Sequence, residues 1–156
     1  MARKVRVDSA DSLPNQAGSV EPGSIEPGPV VASVRAGPPK PAIVSRDNAE
    51  HYRWGVDCDG WYLVKDKQLS VIEEVMPPGA AEIRHYHERA QQFFYILTGE
   101  VLMEINGENL LIPAGSGVRI LPGTHHQIRN PSSSPVRFLV VSQPPSRGDR
   151  IDDEVT

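Results

Sequence analysis

The stretch Gly79-Ala-Ala-Glu-Ile-Arg-His-Tyr-His-Glu-Arg-Ala-Gln-Gln-Phe-Phe-Tyr-Ile-Leu-Thr-Gly99 decides how this chain is read. His85 and His87 stand two apart, and on a β-strand residues two apart project from the same face. Their imidazoles would sit side by side, a spacing that suits chelation of one metal ion. A second segment, Gly115 to Asn130, supplies His126 with His125 beside it. Four of the five histidines fall in these two segments. A first-row transition metal is the simplest reason for that concentration.

On either side of this stretch, strand patterns alternate with turn signals. Leu69 to Met76 is rich in β-branched residues and ends at Pro77-Pro-Gly79. Ala81 to His87 alternates through Ile83, His85 and His87, and Gln92 to Leu97 is apolar on both faces before Gly99. Val101, Met103 and Ile105 alternate up to Asn106-Gly107, a two-residue hairpin signal, and Leu110 to Ile112 returns. Val118 to Leu121, His126 to Arg129 and Val136 to Ser142 complete the series, with Pro122-Gly123 as a further turn. No amphipathic helix of normal length is legible. Short strands at close spacing predict an all-β fold, a barrel or a double-sheet sandwich.

At 156 residues the chain suits one domain. Residues 1–45 are Pro- and Gly-rich, with Glu21-Pro-Gly23, Glu26-Pro-Gly-Pro29 and Gly37-Pro-Pro-Lys-Pro41, and no aromatic residue precedes Tyr52. Such a segment cannot bury enough apolar surface to offset its ordering entropy, so it is expected to be a disordered leader. The β-domain is expected over 46–144 and a charged tail over 145–156. Gln143-Pro-Pro-Ser-Arg-Gly-Asp-Arg150 is interrupted by proline, and its charges would cover the barrel mouth or an adjacent subunit. The net charge of -4, the pI near 5.7 and the lack of a basic stripe argue against a nucleic-acid partner. No apolar run approaches the roughly 20 residues of a membrane helix, so no membrane partner is expected. The basic start Met1 to Val7 is followed by no hydrophobic core, and Asp8, Asp11, Glu21 and Glu26 speak against a presequence, so a cytoplasmic setting is expected. Cys58 is the single cysteine and excludes an internal disulfide. There is no phosphate loop, paired-cysteine zinc site or serine nucleophile elbow.

The spacing Gly79-x5-His85-x-His87-x4-Gln92-x6-Gly99 resembles the first motif of the cupin superfamily. Gly115-x5-Leu121-x-Gly123-x2-His126-x3-Asn130 resembles the second. The resemblance implies a small, single-domain jelly-roll β-barrel with a metal inside, held by two histidines and a carboxylate from the first motif and one histidine from the second. Carried onto this chain, the ligands become His85, His87, Gln92 and His126. It also implies a homodimer, and the partly apolar faces near Val71 and Ile72 are compatible with a covered outer surface.

Two positions depart from the motifs. Leu121 replaces the usual proline, with Pro122 one place later, a change at the level of a turn. Gln92 replaces the usual glutamate, and this changes the chemistry. An amide ligates only through its neutral carbonyl oxygen, leaving the charge of a divalent ion uncompensated, or it orients a ligand without touching the ion. Such a centre should bind metal more weakly, yet hold anionic or enolisable ligands more firmly and act as a stronger Lewis acid. Mn, Fe, Ni, Co and Zn all remain open.

Phe94 and Ile96 share parity with Gln92, and with Met103 and Ile128 they are expected to wall a substrate pocket for a small molecule. Phe93, Tyr95 and Tyr86 should face away. His125 should point to the opposite side from His126, yet apart from metal-bound hydroxide it is the one candidate for a catalytic base. Glu82, Arg84 and Glu88 read as exposed charge, Arg119 as outward-facing, and His51 as solvent-facing at the domain edge. The expected function is a metal-dependent enzyme acting on a small oxygen-bearing metabolite by isomerisation, cyclisation or elimination. A dioxygenase, or a non-catalytic module that binds or senses a small ligand, stays open, because one barrel hosts many functions.

Overall fold

The computed structural model describes Lys40 and residues 42–153, which form eleven strands and no helix. They are β1 Glu50–Trp54, β2 Cys58–Lys65, β3 Ser70–Met76, β4 His85–His87, β5 Gln91–Thr98 and β6 Glu100–Ile105. After them come β7 Glu108–Pro113, β8 Gly117–Ile120, β9 His126–Arg129, β10 Val136–Gln143 and β11 Arg150–Asp152. Two antiparallel sheets result, in the orders β1-β2-β3-β10-β5-β8 and β11-β4-β9-β6-β7. This is the all-β, jelly-roll arrangement expected. The leader over 1–45 lies outside the described residues apart from Lys40 and 42–45. No helix among the described residues is long and apolar enough to cross a membrane.

The strand patterns from Leu69 to Ser142 became strands, except that the run expected over Ala81 to His87 is a strand only at His85–His87, with Ala81 in an isolated bridge to Arg129. Ile96 and Phe138 from one sheet, and Val101 and Met103 from the other, are fully excluded from solvent and form the core between the sheets. The β6–β7 turn pairs Ile105 with Glu108. Its two central residues, Asn106 and Gly107, carry φ of 50° and 93°, the left-handed conformations that a tight right-twisted hairpin requires.

Two edge elements differ from the sequence pattern. β1 has no apolar alternation and is largely exposed, pairing only with β2. Within the expected tail, the chain crosses from the first sheet to the second, and β11 pairs Arg150 with His87 and Asp152 with His85. That pairing brings a cationic residue beside the histidine strand.

Asn130, at the end of the second motif, clamps two loops. It is 1% exposed. Its Nδ2 donates to the carbonyls of Met76 (3.0 Å), Pro77 (3.1 Å) and Ser134 (2.8 Å), and its Oδ1 accepts from the Ser132 amide (3.0 Å). Asn130→Ala leaves these buried groups unpaired and is expected to lower stability by about 2–4 kcal/mol. Urea unfolding checks this, and bound metal per chain should not change.

Candidate metal centre

β4 and β9 are neighbours in one sheet, and their register sets His85 directly opposite His126. His87, two residues along β4, projects from the same face, as the His-x-His spacing predicts. All three are buried, at 1%, 4% and 0% exposure for His85, His87 and His126. Ring centroids lie 4.3 Å apart for His85–His126, 5.0 Å for His85–His87 and 5.9 Å for His87–His126. Each ring offers a nitrogen within 4.8 Å of the others, close enough to share one ion.

Hydrogen bonds select which nitrogens are free. His85 Nδ1 donates to the Ile83 carbonyl (2.8 Å) and His126 Nδ1 donates to the Thr124 carbonyl (2.9 Å). Those bonds fix the tautomer and leave a lone pair on each Nε2. Burial pushes both imidazoles down to about 4, and burial also lowers His87, so all three are neutral near pH 7, the form that ligates metal. His87 is the exception to satisfied bonding: both ring nitrogens are buried and neither makes a hydrogen bond of good geometry, although the Asp149 backbone approaches the ring. An orphaned imidazole beside two lone pairs is the donor set a borderline metal ion fits.

Gln92, on β5 of the facing sheet, reaches the same place. Its Oε1 lies 3.0 Å from His126 Nε2, and its Nε2 donates to Ser142 Oγ at 3.2 Å. With an ion present, Gln92 Oε1 and His126 Nε2 would offer lone pairs side by side. Turned over, the amide would instead donate to His126.

Beside these residues opens a cavity of about 410 Å³, which His126 itself does not line. His85, His87, Gln92 and Phe94 line it, whereas Ile96, Met103 and Ile128, expected as pocket walls, lie in the packed core and not on the cavity surface. Their parity is right, but they sit too deep. His125 is on the outer side, where its Nδ1 meets Asp153 Oδ1 at 2.7 Å and its ring packs on Tyr86 at 4.6 Å. It does not line the cavity. Phe93 and Tyr95 face outward as expected, as does Arg119, which bonds Gln91. His51 is exposed and meets Asp59 at 2.8 Å.

Glu82 corrects the expectation of exposed charge. It lines the cavity with Oε1 at 3.9 Å from His85 Nε2, and Arg150 of β11 donates to that oxygen at 2.6 Å. Burial raises its carboxyl while Arg150 opposes the shift. Glu74 of β3 and Tyr52 of β1 also line the cavity. The sequence reading missed both. The available signal was a glutamate at Glu74 on the same strand face as Ile72 and Met76.

The family described as the Cupin domain matches residues 72–142, which hold both histidine segments. An oxalate-binding protein of Thermotoga maritima is 35% identical over 66 residues, 42% of this chain and 54% of that protein. An uncharacterized protein of Methanocaldococcus jannaschii is 31% identical over 83 residues, 53% of this chain and 66% of that protein. The chain thus spans between about half and two thirds of the length of these curated relatives. The crystal structure of the polyketide cyclase RemF from Streptomyces resistomycificus superposes with a TM-score of 0.65 at 17% identity, covering 75% of this chain and 88% of that one. Matched motifs, matched strand architecture and a converging histidine trio lead to one conclusion: residues 72–142 of the chain form a cupin domain.

Proposed function

We propose that the chain binds one divalent transition-metal ion through His85, His87 and His126, with Gln92 as the fourth protein donor. On this reading it acts on a small oxygen-bearing metabolite by isomerisation, cyclisation or elimination. The observation that carries the reading is His87, buried with both ring nitrogens unpaired inside a trio of neutral imidazoles. The ion would supply Lewis acidity toward a substrate oxygen. The chain's residues would do the rest. Neutral imidazoles and an amide leave the site cationic, favouring an anionic or enolisable oxygen donor. Phe94, Ile72 and Val140 give the cavity apolar walls. Trp54 lines the same cavity with a buried indole N–H that has no acceptor, so it can donate to a ligand oxygen.

A second reading, a binding module without turnover, is favoured by one relative's description as oxalate-binding. The outer face of β5, where Phe93 and Tyr95 stack at 6.3 Å and stay exposed, supports a homodimer.

Metal analysis of protein purified without added metal, with calorimetry of oxalate binding, tests the proposal. One ion per chain and oxalate binding lost on chelation are expected. Gln92→Glu should raise metal affinity about 10-fold or more by adding an anionic ligand, and weaken oxalate by a similar factor. Metal-independent oxalate binding, or no metal, overturns the proposal.

A further inference from the structure

Three neighbouring strands place Tyr52, Gly60 and Glu74 in one lateral row. Tyr52 pairs with Gly60 across β1–β2, and Gly60 pairs with Glu74 across β2–β3. Gly60 has no side chain, and the Tyr52 ring occupies the space one would fill: a Cβ there would lie 2.4 Å from Tyr52 Cζ and 2.7 Å from its hydroxyl oxygen. Lying over the glycine, the phenol reaches past β2 and donates to Glu74 Oε1 at 2.7 Å.

Glu74 differs from the other shielded acids of the domain. Glu73 takes two bonds from Arg137, at 3.0 and 2.8 Å. Glu104 pairs with Arg84 at 2.8 Å, and Asp149 accepts from two backbone amides and from Arg89. Among the described residues Glu74 has no ion-pair partner, and Tyr52 is its single hydrogen-bond partner. Shielded carboxyls without a cation are costly to keep ionised and of little use to stability. This one faces the cavity that holds His85, His87 and Gln92.

Resting on the metal-site reading above, we propose that Glu74 is the catalytic acid–base group of this cavity. Tyr52, laid across Gly60, is its positioning residue, and the substrate is a small carbonyl compound bearing a proton on the adjacent carbon. Glu74 in its acid form gives its proton to the carbonyl oxygen. The carboxylate so formed takes the proton from the adjacent carbon. The C–H electron pair becomes the C=C bond of an enol, the carbonyl π pair becomes the new O–H bond, and Glu74 is an acid again. No oxidant or reductant is needed, and the reverse transfer at a neighbouring carbon completes an isomerisation.

The surroundings suit the role. The groups that act on Glu74 are Tyr52 from β1, Glu82 before β4 and Arg150 from β11, with Tyr62 from β2 on the same cavity. Burial and the Glu82 charge push the Glu74 carboxyl up to about 8, against the opposing pull of the Tyr52 bond and of Arg150. Acid and base forms are then both within reach near neutral pH, as proton transfer in both directions requires.

The test uses the full chain with the metal it carries on purification. Pyruvate in D₂O is the probe, followed by mass spectrometry for deuterium in its methyl group. Wild-type protein is expected to catalyse exchange, and Glu74→Gln to slow it about 100-fold or more, with metal content and oxalate affinity unchanged. Tyr52→Phe should keep most of the exchange but move the midpoint of its pH profile upward, because the bond that favours the carboxylate is gone. Gly60→Ala should do the same by displacing the phenol. An infrared carboxylic-acid band at pH 7, absent in Glu74→Gln, reports the protonated group without any turnover. Retained metal and oxalate binding with no wild-type exchange, exchange unaltered in Glu74→Gln, or no such band overturns this proposal. Loss of metal or oxalate binding from the wild type overturns the metal-site reading instead.

Discussion

His87→Ala is expected to abolish stoichiometric metal binding while leaving the metal-free fold at least as stable as before. The two halves of that result have different causes. A divalent ion held by four protein donors gains apparent binding energies of about 10–16 kcal/mol in small zinc domains, so each donor is worth roughly 3 kcal/mol, about 10²-fold in affinity. Without the ion, however, His87 contributes no hydrogen bond of good geometry through either buried nitrogen. Removing a shielded, unpaired polar group relieves a desolvation cost that offsets the lost packing. Elemental analysis reads the first half, and thermal unfolding with and without metal reads the second. Wild-type protein should show a metal-dependent rise in Tm that His87→Ala lacks. His125→Ala, on the outer side against Asp153, serves as the control and should keep its metal. Full metal content in His87→Ala removes that residue from the site.

The trio was legible because strand alternation and a second motif fix three side chains with no knowledge of depth. His85 and His87 needed only the two-residue period, and His126 needed only its motif spacing. Depth is a different property. Ile96, Met103 and Ile128 were assigned to the correct face, but which inward residues reach the cavity and which lie beneath it depends on packing between sheets. Glu82 was misread because its shielding comes from Arg150, 68 residues away on a three-residue strand with no sequence pattern of its own. Tyr52 and Glu74 were missed for a similar reason. Their contact spans 22 residues and depends on Gly60 lying between them, a relation visible only once three strands are in register. Gln92 is the informative middle case: its position was legible, while the choice of its amide between ion and imidazole depends on whether an ion is bound.

The metal-free protein is expected to lose stability steeply as the pH falls from about 6.5 to about 4, and bound metal is expected to move that loss to lower pH. Burial depresses His85 and His126 from the ordinary 6.5 to about 4. Between those values the unfolded chain takes up protons that the folded chain refuses, so stability is complete above pH 6.5 and drains away on acidification. At about 1.4 kcal/mol per pH unit for each group, the pair removes several kcal/mol, a large share of the roughly 5–15 kcal/mol that holds a domain folded. Glu74 works in the opposite sense. Its folded value near 8 lies above the ordinary 4.5, so folding gains stability as the pH falls from 8 toward 4.5. The two trends overlap between 6.5 and 4.5, which blunts the upper part of the acid loss in wild-type protein. Glu74→Gln removes its share of the opposing trend and leaves that of Glu82, whose carboxyl burial also raises, so its stability should fall more steeply below pH 6.5 than that of the wild type. Urea unfolding of chelated protein at pH 8, 6.5, 5 and 4, for the wild type and Glu74→Gln, separates the contributions. A profile flat from pH 6.5 to 4 in Glu74→Gln shows that the histidines are not held neutral by burial. Coincident profiles of the two proteins above pH 6 show that Glu74 is ionised in the folded protein and leave its carboxylate an ordinary one.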